Sequence, residues 1–245
     1  VLQPKTRAAA IVIVVLTALP CWPQDSARIS TAVFTNPGAR SIGLGGAFAA
    51  IADDATAAFA NPAGLIQILR PEISIELRAT TSMDDSELDL SQGVSGLGFF
   101  SFVYPSRNWA VALYSHQLAS IGFEFTFPGA VAREVTVRSY AASGALEISE
   151  NLSLGAGLSY FDGDRTAGAG VSGFSDSDWG LNLGVLWSVS RAWDLAGFYR
   201  QGPGFESRQS PTEFSFPDVY GFGVAFQPSA GALTVGFQWD QVGET

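Results

Sequence analysis

The sequence predicts an all-β protein: a transmembrane antiparallel β-barrel of the outer-membrane kind, with about nine strands and a short, partly helical segment ahead of them. Three observations carry that expectation. From residue 71 onward apolar residues recur at every second position. The face opposite them is mostly Gly, Ser and Asn, with few Lys or Glu. A Gly- and Ala-rich stretch, residues 37–65, precedes the first strand.

Successive side chains of a strand point to opposite faces, so a period of two gives each strand one apolar face and one small or polar face. Leu152, Leu154, Ala156, Leu158 and Tyr160 alternate with Ser153, Gly155, Gly157, Ser159 and Phe161. Trp179, Leu181, Leu183, Val185 and Trp187 alternate with Gly180, Asn182, Gly184, Leu186 and Ser188. Leu233, Val235, Phe237 and Trp239 alternate with Thr234, Gly236, Gln238 and Asp240. A soluble sandwich buries its apolar face and charges the other; small residues on the second face suit a lumen instead.

The expected strands are 72–80, 95–104, 109–119, 134–148, 152–162, 178–189, 193–201, 218–227 and 232–241. Short links at 106–108, 149–151, 190–192 and 228–231 alternate with long ones at 81–94, 120–133, 163–177 and 202–217. Tight periplasmic turns and longer outer loops produce that asymmetry. Tyr104, Trp109, Trp187 and Trp193 sit beside short links, while Tyr160, Trp179 and Trp239 lie near the opposite strand ends, as two interfacial girdles require.

Composition fits the same class. Of 245 residues 47% are hydrophobic, 15% charged and 27 are glycine. The net charge of −10 argues against nucleic acid, which requires clustered Lys and Arg. One cysteine, Cys21, and one histidine, His116, exclude a disulfide framework and a Cys- or His-rich metal centre. Lys5 and Arg7 ahead of an apolar run at 8–19 read as an export signal, residues 1–24, too short to span a membrane. Residues 25–70 form the leading segment and 71–245 the barrel.

In the leading segment Gly43, Gly45 and Gly46 supply backbone freedom for tight turns. One short helix is expected within 47–60, Asp53 and Asp54 read as turn or capping carboxylates, and Asn61, Pro62 and Ala63 form a turn because a residue before proline is pushed out of helical geometry. The string GARSIGLGGAFAAIADDATAAFANPAGL resembles the N-terminal signature of outer-membrane transport proteins related to FadL, the long-chain fatty-acid transporter. The resemblance implies that the segment is a hatch inside the barrel, with Gly43, Gly45, Gly46, Asp53, Asp54, Asn61, Pro62 and Ala63 in its gating region. Nine strands is an odd number, below the family's count, which implies further strands beyond Thr245.

The transport reading assigns two more groups of residues. Ile121, Phe123, Phe125, Phe127, Phe205, Phe214 and Phe216 are apolar side chains on long outer links, suited either to capturing a hydrophobic molecule or to covering the barrel mouth. Glu76, Arg78, Asn182, Arg200 and Gln238 face inward by parity, where they line a path or hold the hatch. No catalytic constellation is present: Ser115 and His116 are strand neighbours on opposite faces and cannot pair. No enzyme activity, cofactor or metal is expected. The resemblance implies passive uptake of hydrophobic compounds such as long-chain fatty acids across the bacterial outer membrane. The partners are then the hydrophobic cargo and outer-membrane lipid. The rival reading is a barrel that docks or assembles secretion components without small-molecule cargo.

Overall fold

The structure is a computed structural model that describes residues 36–78, 88–92, 96–125, 133–167, 174–205, 216–228 and 233–243. Residues 1–35, with the expected export signal at 1–24, lie outside them.

Among the described residues ten antiparallel strands form one sheet: β1 (Glu72–Arg78), β2 (Leu88–Gln92), β3 (Gly96–Pro105), β4 (Trp109–Phe125), β5 (Arg133–Ser149), β6 (Leu152–Ala167), β7 (Phe174–Ser190), β8 (Trp193–Arg200), β9 (Val219–Phe226) and β10 (Val235–Val242). Nine run in a continuous path, β1-β3-β4-β5-β6-β7-β8-β9-β10, and β2 pairs with the far end of β4. Apart from β2, every strand neighbours the next one along the chain, the arrangement that short hairpin links produce. Among the described residues β1 and β10 are the two edges of the path.

The exposure pattern is inverted relative to a soluble protein. Leu154, Leu183 and Val235 are 46%, 44% and 51% exposed, while Ser153, Ser159, Asn182 and Arg200 opposite them are at most 5% exposed. In water such a surface has no reason to form; against hydrocarbon it is the favourable one. The interfaces are marked by aromatic rings in contact, most of them exposed. Tyr104 meets Trp109, and Trp193 meets Phe226, beside the short turns. Tyr160 meets Trp179, and Tyr220 meets Trp239, at the other ends. Trp179 and Trp187 are eight positions apart on β7. That is ~26 Å along a strand, or about 20 Å in height at a tilt near 40°, close to the ~25 Å apolar band of outer-membrane barrels.

The interior is occupied by the chain's own leading segment. It contains helix α1 (Ala39–Gly43), helix α2 (Ala57–Ala60) and a 3-10 helix at Pro62–Gln67. Phe48, Ala49, Ile51, Ala52, Ala55, Ala58, Phe59, Ala63 and Leu65 are all at most 2% exposed. Alanine predominates because a lumen already lined by side chains leaves room for little more than a methyl group at most positions.

The arms of the hairpins run longer than the alternation at mid-barrel predicts. β4 continues to Phe125, pairing Ile121 with Val135 and Phe123 with Arg133 on β5, and with Gln92 and Leu90 on β2. Ile121, Phe123 and Phe125 are therefore strand residues, which corrects their expected place on an outer link. The physical reason is visible in the sequence, where apolar residues still alternate through 121–125. Residues 88–92, expected in a link, likewise form β2.

Candidate functional site

The site is the contact between hatch and lumen wall. Gly45 and Gly46 adopt φ of +65° and +86°, and with Gly38 at +97° they let the chain reverse twice around α1. Gly43, the last residue of α1, has neither a positive φ nor a close neighbour. Asn61 is extended before Pro62 and caps the 3-10 helix, its Oδ1 accepting from Ala63 N at 3.1 Å. Its Nδ2 donates to Ala49 O at 2.9 Å and to Val185 O on β7 at 3.2 Å. One fully buried amide thus joins two parts of the hatch to the wall.

Pro62 and Ala63 rest on two glycines paired across β6 and β7, Gly155 and Gly184. A Cβ on Gly155 would stand 2.2 Å from Ala63 N, and one on Gly184 would stand 2.0 Å from Asn61 Oδ1. Real non-bonded atoms do not approach that closely, so both seats require glycine. Gly236 makes a similar seat on β10, where a Cβ would lie 2.8 Å from Ala47 O.

Around this seat, wall side chains hold hatch backbone. Ser101 donates to Ala55 O at 2.9 Å and Ser153 to Ala63 O at 3.0 Å. Gln238 accepts from Phe48 N and Ala49 N at 3.0 and 2.8 Å. Glu72 accepts from Ala55 N at 2.8 Å, and Glu76 from Gly38 N. Both edges of the strand path therefore hold the hatch. Asn182 donates to Phe59 O at 2.8 Å, and Arg200 donates to Phe59 O and Ala60 O at 3.0 and 3.3 Å. The Arg200 guanidinium also lies 3.8 Å over the Phe59 ring, a cation–π contact. The same ring also meets His116 at 4.5 Å and Tyr114 at 6.1 Å between centroids, both edge to face. Phe59 thus touches side chains of both β4 and β8.

The other candidate residues fall as follows. Asp53 pairs with Arg40 at the exposed edge of the hatch. Asp54 Oδ1 accepts from Thr56 N and its hydroxyl just ahead of α2. Arg78 ends β1, pairing with Gly96, and its side chain lies outside the described residues, as do those of Ile121, Phe123 and Phe125. Phe127 and Phe214 lie wholly outside them. Phe205 and Phe216 pack ring to ring at 5.8 Å, with Phe216 only 6% exposed and Phe205 against Gly163. Among the described residues no group of three or more His, Cys, Asp or Glu is placed to hold a metal.

Sequence reasoning missed Glu72, Ser101, Ser153, Phe59 and the seats Gly155 and Gly184 as site residues. Glu72 was within reach, having the same parity as Glu76. Nothing local marks the glycine seats, since many lumen positions are glycine.

A wall that is apolar outside, polar and small inside, with a peptide segment packed against its inner face, has the build of a membrane-spanning β-barrel with an N-terminal segment inside it. Two solved structures share the fold. A Pseudomonas aeruginosa FadL homologue superposes with a TM-score of 0.58 at 13% identity, over 78% of this chain and 65% of that one. The Ralstonia pickettii toluene transporter TbuX superposes with a TM-score of 0.67 at 14% identity, over 85% of this chain and 72% of that one. The chain shares the fold of these two proteins and spans about two thirds of the Pseudomonas homologue's length. No protein-family model matches the sequence, and no curated protein does.

Proposed function

We propose that the protein is a passive channel of the bacterial outer membrane for hydrophobic compounds, long-chain fatty acids among them, gated by its N-terminal hatch. The observation that carries this reading is the way the leading segment is held against the wall. The hatch is held through side-chain hydrogen bonds to its backbone and by glycine seats, and its Phe59, in touch with β4 and β8, narrows the bore. Such an interface separates without breaking either the wall or a covalent bond. Net hydrogen-bond contributions of about 1 kcal/mol each are small enough for the hatch to shift while the barrel stays folded. The fold shared with a FadL homologue and a toluene transporter supports small apolar cargo.

The test is uptake into liposomes carrying the full-length protein, with a labelled long-chain fatty acid and toluene as probes. Faster entry than into empty liposomes is expected. Equal rates for both probes would overturn the transport reading.

A further inference from the structure

On the outward face, two rows of directly opposed residues cross the wall from β3 to β7. One is Phe102, Leu113, Ala142, Leu158 and Leu181. The next is Tyr104, Val111, Gly144, Ala156 and Leu183. Ala142, Gly144 and Ala156 are small, and the residues around them are larger. Tyr140, Tyr160 and Trp179 are opposed in the same way two positions above the first row. Leu146, Leu154 and Val185 are opposed two positions below the second.

The result is a groove of about 730 Å³ over β5 and β6. Leu113 and Leu158 stand on its two sides, two strand spacings or ~10 Å apart at the backbone, a width that admits one hydrocarbon chain. Ala112, Ser143 and Gly157 also line it, and their positions alternate to the lumen face, so the strand backbone forms its floor. That backbone has its hydrogen bonds made, since β5 pairs with β4 and β6 without a register shift from Ala142 to Ala145. None of the lining residues is charged.

We propose that this groove is a binding site for the acyl chain of an outer-membrane lipid, held there more tightly than lipid against the rest of the wall. Continuity and depth select the occupant. The groove is part of the hydrocarbon-facing wall, and its two rows run from just below Tyr160 and Trp179 to Leu183, midway to Trp187. A chain descending from the leaflet on the side of the long links lies along it. An unfilled hollow forfeits dispersion contacts over its whole lining, whereas a chain seated in it is touched from the floor and both sides. Water gains nothing in an apolar hollow with no free polar group to bond. The groove faces away from the lumen, so the proposal is independent of cargo passage and of the hatch.

The test is native mass spectrometry of the full-length protein, purified from outer membranes in a mild detergent. The wild type is expected to retain one membrane lipid, and the Ala142→Leu/Ala156→Leu variant, which fills the groove, to carry it several-fold less often. Val224→Leu enlarges a residue of the same apolar face on β9, away from the groove, and should match the wild type. Equal retention by the wild type and the filled variant overturns the proposal. A retained mass that is a free fatty acid also overturns it, by making the occupant cargo. So does a wild-type dimer that the filled variant loses, by making the occupant a second copy. If the double variant does not fold, Ala156→Val alone decides: lower retention supports the site, and wild-type retention overturns it.

Discussion

Asn61 is the residue on which the hatch contact turns. Its amide serves Ala49 O, Val185 O and Ala63 N at once, and it is fully buried. Asn61→Ala leaves three backbone groups short of a partner, so a loss of about 1–3 kcal/mol is expected. Earlier protease cleavage within residues 36–70, in micelles where the barrel itself resists, is the readout. Gly184→Ala acts from the other side of the same contact, because its Cβ would overlap Asn61 Oδ1. Overpacking of this kind costs about 1–3 kcal/mol, measured as a lower temperature for loss of the compact gel band; an unchanged transition would contradict the seat. The turn at Asn61-Pro62 was readable beforehand, since proline restricts the residue ahead of it. The need for glycine at 184 was not, because it arises from a segment more than a hundred residues away.

At the scale of the strand, the wall makes a depth-dependent prediction. Leu183 lies midway between Trp179 and Trp187 on β7, and Val189 lies past the lower ring; both are exposed. Arginine on the lipid face costs about 2–4 kcal/mol at the midplane and ~0–1 near the interface. Leu183→Arg should therefore weaken folding into phospholipid vesicles, followed by urea titration, far more than Val189→Arg. Equal losses would mean that the face does not meet hydrocarbon. Most of this element was legible: alternation located nine of the ten strands, and the rings at their ends located the interfaces. The ends of the long arms were harder. In β4, Ile121, Phe123 and Phe125 continue the alternation, and the strand goes on pairing with β5 and β2 through them.

At the scale of the whole molecule, Phe59 touches both β8 and β4 and is the residue proposed to narrow the bore. Its ring meets Arg200 on β8 and His116 on β4, so Phe59→Ala should widen the passage. A several-fold rise in single-channel conductance across a planar bilayer is expected, along with a loss of stability of about 3–5 kcal/mol for a buried phenylalanine. Conductance no higher than that of the wild type would place the constriction elsewhere. The sequence by itself determined the wall, because a period of two, small residues on one face and aromatic rings at strand ends are local patterns with direct physical causes. Only the tertiary structure decided which lumen residues hold the hatch. Asn61 and Val185 are 124 positions apart, and Arg200 and Phe59 are 141. Contacts so distant depend on strand register and on the path of the inserted segment, and no pattern within either stretch encodes them.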